Sequence, residues 1–400
     1  MRAVITNFGT TGDFLPLLTL ARELARRHDQ PVLAFPPFAQ GMVRESGFEY
    51  QAIGPDLSSL RDGVNQGWSE SDGIYDSSDE TLLLLLPFRD AFDQVFSQLQ
   101  VVCQNADVLV SGPAQPMARM IHEIIGIPFV SVQFSHFGGN GGPGLRNAGE
   151  QLINPFRKKM GLPAIKEPFT QGANSPQLAL YAMSPCLRPR PEDWPAHYCM
   201  TGFFMEAPNS GWRPNVELQN FVSSSPSPVV ISFGSMVHSD SKKLVSILVD
   251  ALQLTGQRAV IQGMPRECRP ERKTADIYWT DFVPHSWLFP HASCIVSHGG
   301  AGTAAATFHS GIPGIFVPHG NCYDQRYWAQ LAEDLGCCVP AIQYADLGPE
   351  KLASAIEKTI NSSAIRNAAA KLSVEIRREQ GVVQAAELIH DLVERIGLRH

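Results

Sequence analysis

The chain has 400 residues, 44% of them hydrophobic and 18% charged, and a formal net charge of −7. This length exceeds what one hydrophobic core usually supports, so we expect two domains. The negative charge argues against nucleic acid and against an anionic membrane as partners, because both favour lysine and arginine. The N-terminal segment lacks the apolar run of a signal peptide, and the longest aliphatic run, residues 82–86, is far too short to span a membrane. We therefore expect a cytoplasmic protein with no integral membrane segment.

The first half of the chain predicts a doubly wound α/β domain. Buried strands are expected at residues 3–8, 31–36, 48–53, 107–111 and 128–133. A glycine-bearing loop at residues 9–12 precedes a helix that starts at Phe14, and a second helix is expected at residues 117–125. Because strands and helices alternate, the sheet should be parallel. The polar segment 55–79 and the glycine-rich segment 137–144 are predicted to be functional loops at the carboxyl ends of strands.

The same pattern begins again after a polar segment rich in proline and serine, residues 206–228, which is typical of a linker. Further strands are expected at residues 228–233, 259–262, 277–279, 294–297 and 314–317, with helices between them. The sequence therefore predicts an α/β protein with two Rossmann-like, doubly wound domains, residues 1–205 and 229–380, that face a central cleft.

The segment that carries chemistry is a strand that runs into the sequence His298-Gly-Gly-Ala-Gly-Thr303 and then opens a helix. Glycines let backbone N–H groups approach an anion, and the helix N-terminus adds a favourable dipole. The imidazole of His298 can donate one more hydrogen bond. The pattern predicts a diphosphate site without a P-loop lysine, although the same glycines would also suit a tightly packed turn.

The surroundings of this loop resemble the donor-binding signature of family 1 glycosyltransferases, which have the GT-B fold and use nucleotide-activated sugars. The signature combines aromatic-x-Pro-Gln, His-x-Gly-x-x-Ser/Thr, Gly-x-Pro and an acidic residue before Gln. Its counterparts here, in order, are Phe282-Val-Pro-His285, His298 to Thr303, Gly311-Ile-Pro313 and Asp324-Gln325. Two features depart from the family pattern. His285 replaces the usual Gln, and five residues separate Pro318 from Asp324, where three are usual.

The resemblance implies a role for each matching residue. Phe282 would stack on the nucleobase, and the backbone of Val283 would read the edge of the base. Asp324 and Gln325 would bind the sugar hydroxyls, although Asp324 would also suit a helix N-terminus. The diphosphate would be bound by Gly234, Ser235, His298, Gly300, Ala301, Gly302 and Thr303.

The first loop, residues 8–16, resembles the N-terminal glycine loop of the same family. Many members carry a catalytic His there, supported by an Asp from a later strand, whereas antibiotic and sterol glycosyltransferases often carry Gly-Asp, as in Gly12-Asp13. The later strand here ends at Ser111-Gly112 without the supporting Asp, which fits the loss of the His. The resemblance makes Asp13 the candidate general base; a helix N-cap is the alternative role.

The resemblance also assigns a task to each domain. Residues 1–205 would bind the acceptor, with Trp68, His136 and Phe137 as candidate pocket residues. Residues 229–380 would bind the nucleotide sugar. The helix within residues 381–400 would cross back onto the first domain.

The predicted activity is an inverting transfer of a hexose, from UDP-glucose, to a hydroxyl of a small apolar natural product. No cofactor and no metal are required. The alternative donor is a dTDP-deoxysugar, with a lipid or polyketide acceptor. A non-catalytic homologue that activates a partner transferase would show an eroded donor signature, which is intact here, and an epimerase or hydrolase would consume the donor without an acceptor. The oligomeric state and the acceptor are not defined by the sequence.

Overall fold

The computed structural model describes residues 1–9, 11–56, 89–135, 143–169, 171–205, 212–234, 240–270, 275–319 and 323–397. Four predicted site residues lie outside these ranges: Trp68, His136, Phe137 and Ser235.

The described residues form two compact units, each with its own parallel sheet. The first unit contains the described parts of residues 1–64, 73–204 and 379–400, and the second contains those of residues 205–378. The final helix, Gly381–Gly397, therefore belongs to the first unit. Its apolar residues recur with helical spacing, so that one face is buried in the core of that unit.

The first unit is built on a seven-stranded sheet with the order β3-β2-β1-β4-β5-β6-β7, in which all neighbours are parallel. The strands are β1 Arg2–Thr6, β2 Gln30–Phe35, β3 Glu49–Ala52, β4 Val108–Ser111, β5 Phe129–Gln133, β6 Leu178–Tyr181 and β7 Tyr198–Met200. The helices are Thr11–Arg26, Gln40–Ser46, Phe92–Cys103, Met117–Ile125, Pro143–Lys159 and Gly381–Gly397. Successive residues of the central strands are buried on opposite faces, Val4 in one cluster and Ile5 in another. Burial on both faces is what a parallel sheet requires.

The second unit has a five-stranded parallel sheet with the order β10-β9-β8-β11-β12. The strands are β8 Val229–Ser232, β9 Ala259–Gln262, β10 Ile277–Thr280, β11 Cys294–Ser297 and β12 Gly314–Phe316. The helices are Val216–Ser223, Ser241–Thr255, His285–Leu288, Ala301–Ser310, Tyr323–Asp334, Pro349–Asn361 and Ser363–Ile376.

Each sheet has one point at which the strand order reverses, between β1 and β4 in the first unit and between β8 and β11 in the second. The loops that leave the carboxyl ends of these two strands depart to opposite sides of the sheet. A crevice opens there, and open α/β sheets bind their ligands at this position. A ligand-binding site is therefore expected at the loops after β1, β4, β8 and β11.

The predicted fold class, two doubly wound parallel α/β units, is confirmed, and the central strands lie within two residues of their predicted bounds. Strands β6 and β7 were not predicted. The segment predicted as a linker contains the helix Val216–Ser223, which Asn215 caps by accepting from the N–H of Leu218. Leu218 and Val222 are buried, and two apolar positions in a polar stretch are a weak helix signal.

Candidate functional site

The imidazole of His298 lies between two glycine backbones at the strand reversal of the second sheet. His298 follows β11 directly, and Gly234 follows the neighbouring strand β8. A Cβ atom placed on Gly234 would lie 2.8 Å from Cε1 of the ring, and one placed on Gly300 would overlap Nε2. The side chain is buried, with 8% exposure. Glycine is therefore needed at both positions to make room for the imidazole, which the two backbones hold in place.

The helix Ala301–Ser310 begins beside this imidazole. Its N-cap is Gly300, which is extended (φ −62°, ψ 151°) and has no side chain with which to cap the helix. The first intrahelical bond of this turn runs from the N–H of Ala304 to the carbonyl of Gly300 over 2.9 Å. The N–H groups of Ala301, Gly302 and Thr303 thus form the positive end of the helix. Together with the adjacent imidazole they make a site suited to an anion.

The start of the helix Tyr323–Asp334 packs against the same loop. Gly299 has φ +83°, and a Cβ atom there would lie 3.1 Å from the carbonyl oxygen of Gln325. Gln325 is buried, and its Oε1 accepts a hydrogen bond from the backbone N–H of His319 over 2.8 Å. Asp324, in the first turn of this helix, is partly exposed. Of the two predicted sugar-binding side chains, Asp324 is thus the more accessible, while the side-chain Oε1 of Gln325 is bonded to the preceding loop.

The segment after β10 presents an aromatic ring at the surface. Phe282 is 59% exposed, whereas its neighbour Val283 is buried in the core. Asp281 anchors the start of the segment through ion pairs with Arg266 and Arg269. These two guanidinium groups, Arg266 foremost, lower the pKa of Asp281 to about 2. The segment is held at both sides of Phe282, and its exposed ring is of the kind on which a nucleobase stacks.

A polar cluster beneath this segment was missed by the sequence analysis. The Nε2 atom of His285 lies 3.2 Å from the hydroxyl of Ser232 and 3.0 Å from the amide nitrogen of Gln262. The ring stacks on Phe289, with 4.3 Å between centroids, and burial lowers the pKa of His285 to about 4. His285 is therefore neutral at pH 7 and accepts from the Gln262 amide. The signal for this cluster was a polar residue at the last position of both β8 and β9, which pair in register.

In the first unit, the structure corrects the alternative role considered for Asp13. The helix begins at Thr11, not at Phe14, so Asp13 is its third residue and not its N-cap. Gly9, just after β1, has φ +127°, and a Cβ atom there would overlap the Asp13 carboxylate. The carboxylate thus folds back over Gly9 at the strand reversal of the first sheet.

Buried polar residues cluster at the end of β1, and the sequence analysis did not single them out. Asn7 and Thr6 are fully buried, and Gln115 is 2% exposed. The amide nitrogen of Gln115 donates to the hydroxyl of Thr6 over 3.2 Å. The backbone N–H of Ala114 donates to Asn7 Oδ1 over 3.1 Å. The sequence signal available for this cluster was the pair of polar residues, Thr6 and Asn7, at which the apolar run of β1 ends.

In the described part of the chain, no group of three or more His, Cys, Asp or Glu side chains is arranged to hold a metal ion. None of the described helices is both long and apolar enough to cross a membrane.

Comparison with protein families and with curated proteins identifies sequence relatives. Residues 258–394 match the family described as erythromycin biosynthesis protein CIII-like, C-terminal domain. The chain is 26% identical to the O-mycaminosyltylonolide 6-deoxyallosyltransferase of Streptomyces fradiae, and the alignment covers 98% of both chains. It is 25% identical to the sterol 3-beta-glucosyltransferase of Candida albicans, with 98% of this chain but only 28% of the relative aligned. The chain thus spans the full length of the first relative and about a quarter of the second.

Solved structures of glycosyltransferases share the fold. The calicheamicin glycosyltransferase CalG4 aligns over 99% of this chain and 98% of its own, with a TM-score of 0.76 and 18% identity. The glycosyltransferase VinC, solved in complex with dTDP, aligns over 99% of this chain and 100% of its own, with a TM-score of 0.72 and 17% identity. At these identities the likeness concerns the fold.

Proposed function

We propose that this chain, which is similar to macrolide and sterol glycosyltransferases and shares the GT-B fold, transfers a hexose from a nucleoside diphosphate to a hydroxyl of a small apolar acceptor, with inversion at the anomeric carbon. The second unit binds the donor, and the first unit supplies the base and binds the acceptor. Natural products and sterols are the acceptor classes, because the relatives are named for a macrolide-type lactone and for sterols.

The observation that carries this proposal is the placement of His298 at the N-terminus of the helix Ala301–Ser310. The imidazole lies beside the start of this helix, whose first N–H groups, those of Ala301, Gly302 and Thr303, have no partner within the helix. Donors fixed in advance stabilise charge that develops on a leaving group more effectively than water can. The charge that develops in glycosyl transfer is on the diphosphate, as its bond to the anomeric carbon breaks.

The remaining donor contacts in this proposal come from residues at the same edge of the second sheet. Phe282 offers an exposed ring to the base, and Asp324 offers a carboxylate to neighbouring sugar hydroxyls. A carboxylate only accepts hydrogen bonds, so it favours a sugar that keeps its hydroxyl groups. UDP-glucose is therefore the first donor in this proposal. A dTDP-deoxysugar is the second, because one relative is named a 6-deoxyallosyltransferase and VinC was solved with dTDP.

The chemical step needs one proton acceptor. The acceptor oxygen attacks the anomeric carbon from the face opposite the diphosphate, its proton passes to the Asp13 carboxylate, and the bond from the anomeric carbon to the diphosphate oxygen breaks. Atoms and charge balance without a covalent sugar–enzyme intermediate. A general base of this kind typically contributes about 10²–10⁴-fold to the rate.

Calorimetric titration of UDP and dTDP into the wild type and His298→Ala tests the donor site. A hydrogen bond to a charged group contributes about 1.5–3 kcal/mol, so the variant should bind the preferred nucleotide about 10- to 10²-fold more weakly. His309→Ala is the matched control, because it removes an imidazole from the other end of the same helix. Its affinity should equal that of the wild type. Equal nucleotide affinity in His298→Ala would remove His298 from the diphosphate site.

A further inference from the structure

One buried carboxamide connects three segments at the strand reversal of the first sheet. Asn7 directly follows β1 and is fully buried. Its Oδ1 accepts from the N–H of Ala114, in the loop after β4, over 3.1 Å. Its Nδ2 donates to the backbone carbonyl of Asp13, in the first turn of the helix Thr11–Arg26, over 3.3 Å. The position of that turn therefore depends on the Asn7 side chain.

The carboxamide occupies the space that a side chain at residue 112 would need. Gly112 directly follows β4, and its N–H donates to the carbonyl of Thr6 over 2.9 Å, which extends the pairing of β1 with β4. A Cβ atom placed on Gly112 would overlap Cγ and Nδ2 of Asn7 and lie 2.7 Å from Oδ1. The polar group that faces the Asp13 turn thus comes from β1, and the end of β4 carries no side chain to compete with it.

The Asp13 carboxylate lies over Gly9, close to the backbone that links β1 to the helix. A shift of the first helical turn would therefore move the carboxylate with it. Misplacement of a reacting group by about 1 Å can cost as much as 10²-fold in rate.

From these contacts we infer that Asn7 is a positioning residue for Asp13, and that Gly112 is glycine so that the Asn7 carboxamide can fill this place. The inference rests on the proposed function, in which Asp13 is the base. Asn7 takes no part in proton transfer; it fixes the turn from which the carboxylate projects. An aspartate at residue 7 would keep the shape and the bond from Ala114, but as a carboxylate it has no hydrogen to donate to the Asp13 carbonyl.

The test must separate positioning from packing, because Asn7 is buried. Asn7→Ala removes the carboxamide, and Asn7→Ala/Gly112→Ala places a methyl group in the vacated space. The double variant should be more stable to urea than Asn7→Ala. Both proteins should show a kcat about 10- to 10²-fold below that of the wild type, with donor KM and UDP affinity unchanged. Thr6→Val, which removes a buried polar contact to Gln115 at the same strand end, is the control and should keep the wild-type kcat.

A double-mutant cycle with Asp13→Asn distinguishes an effect of Asn7 through the Asp13 carboxylate from a purely structural effect on kcat. If Asn7 acts through the Asp13 carboxylate, Asn7→Ala should reduce kcat in the wild type and leave the residual kcat of Asp13→Asn unchanged. If Asn7→Ala lowers kcat by the same factor in the wild type and in Asp13→Asn, Asn7 contributes only packing. Recovery of the wild-type kcat in Asn7→Ala/Gly112→Ala would lead to the same conclusion. Full activity in Asp13→Asn would instead overturn the base assignment. Loss in Asp13→Asn without loss in Asn7→Ala would overturn the Asn7 inference alone.

Discussion

At the scale of single residues, the geometry gives a physical reason for glycines that the sequence could only match to a pattern. Gly234 and Gly300 come from different loops, 66 positions apart in the numbering of the chain, and both are needed so that the His298 ring fits. The resemblance assigned both positions to the diphosphate site, Gly300 within the donor-binding signature and Gly234 outside it. It did not reveal that the side-chain Oε1 of Gln325 accepts a hydrogen bond from the backbone N–H of His319, because such a contact depends on the path of the loop after β12.

The assignment of Asp13 as base leads to a prediction at this scale. Asp13→Asn keeps the size and the hydrogen-bonding oxygen of the side chain but cannot take up a proton. With an aliphatic alcohol as acceptor, kcat should fall by about 10²-fold or more, while UDP affinity and the Tm stay near wild-type values. The loss should be smaller with a phenol, because a more acidic hydroxyl needs the base less. Steady-state kinetics with both acceptors checks this, and full activity on the aliphatic alcohol would exclude Asp13 as the base.

At the scale of elements, the sequence predicted best where apolar runs and helical periodicity were strong. The strands Ala259–Gln262 and Cys294–Ser297 and the helix Met117–Ile125 have their predicted bounds. The first helix starts three residues earlier than predicted, because its first turn is polar and carries no apolar periodicity. The buried cluster of Ser232, Gln262 and His285 could not be predicted in the same way. It depends on the pairing of β8 with β9, which only the fold specifies.

That cluster predicts a pH dependence of stability. The pKa of His285 is lowered from its ordinary value of 6.5 to about 4 because burial disfavours the charged ring. Between about pH 6.5 and pH 4, His285 is protonated in the unfolded chain but stays neutral in the folded protein. The free energy of unfolding should therefore decrease across this window, by up to about 3 kcal/mol from this group.

The variant His285→Gln isolates this contribution, since Gln can occupy a similar position but does not titrate. Urea unfolding of both proteins at about pH 7, 5.5 and 4.5 measures the effect. The difference in stability between wild type and variant should move in favour of the variant as the pH falls. Parallel loss of stability in the two proteins would show that His285 titrates equally in the folded and unfolded states.

At the scale of the whole molecule, predicted site residues lie at the strand reversals of the two parallel sheets. His298 and Gly234 lie at one reversal, and Asp13 and Asn7 lie at the other. The alternation of strands and helices was enough to predict the fold class, because it leaves few topologies open. It could not predict the acceptor, since the candidate residues Trp68, His136 and Phe137 stand in polar and glycine-rich stretches of the sequence that show no periodic pattern.

The central claim is that this chain transfers a sugar from a nucleotide to a hydroxyl of an apolar acceptor. Mass spectrometry of reactions that combine UDP-glucose or dTDP-deoxysugars with a panel of sterols and macrolide aglycones tests it most directly, with acceptor-free reactions as the control. We predict a product heavier than its acceptor by one hexosyl or one deoxyhexosyl group, formed only when both substrates are present. The same product should be reduced in His298→Ala. Consumption of the donor at the same rate without an acceptor, with no glycosylated product, would contradict the account.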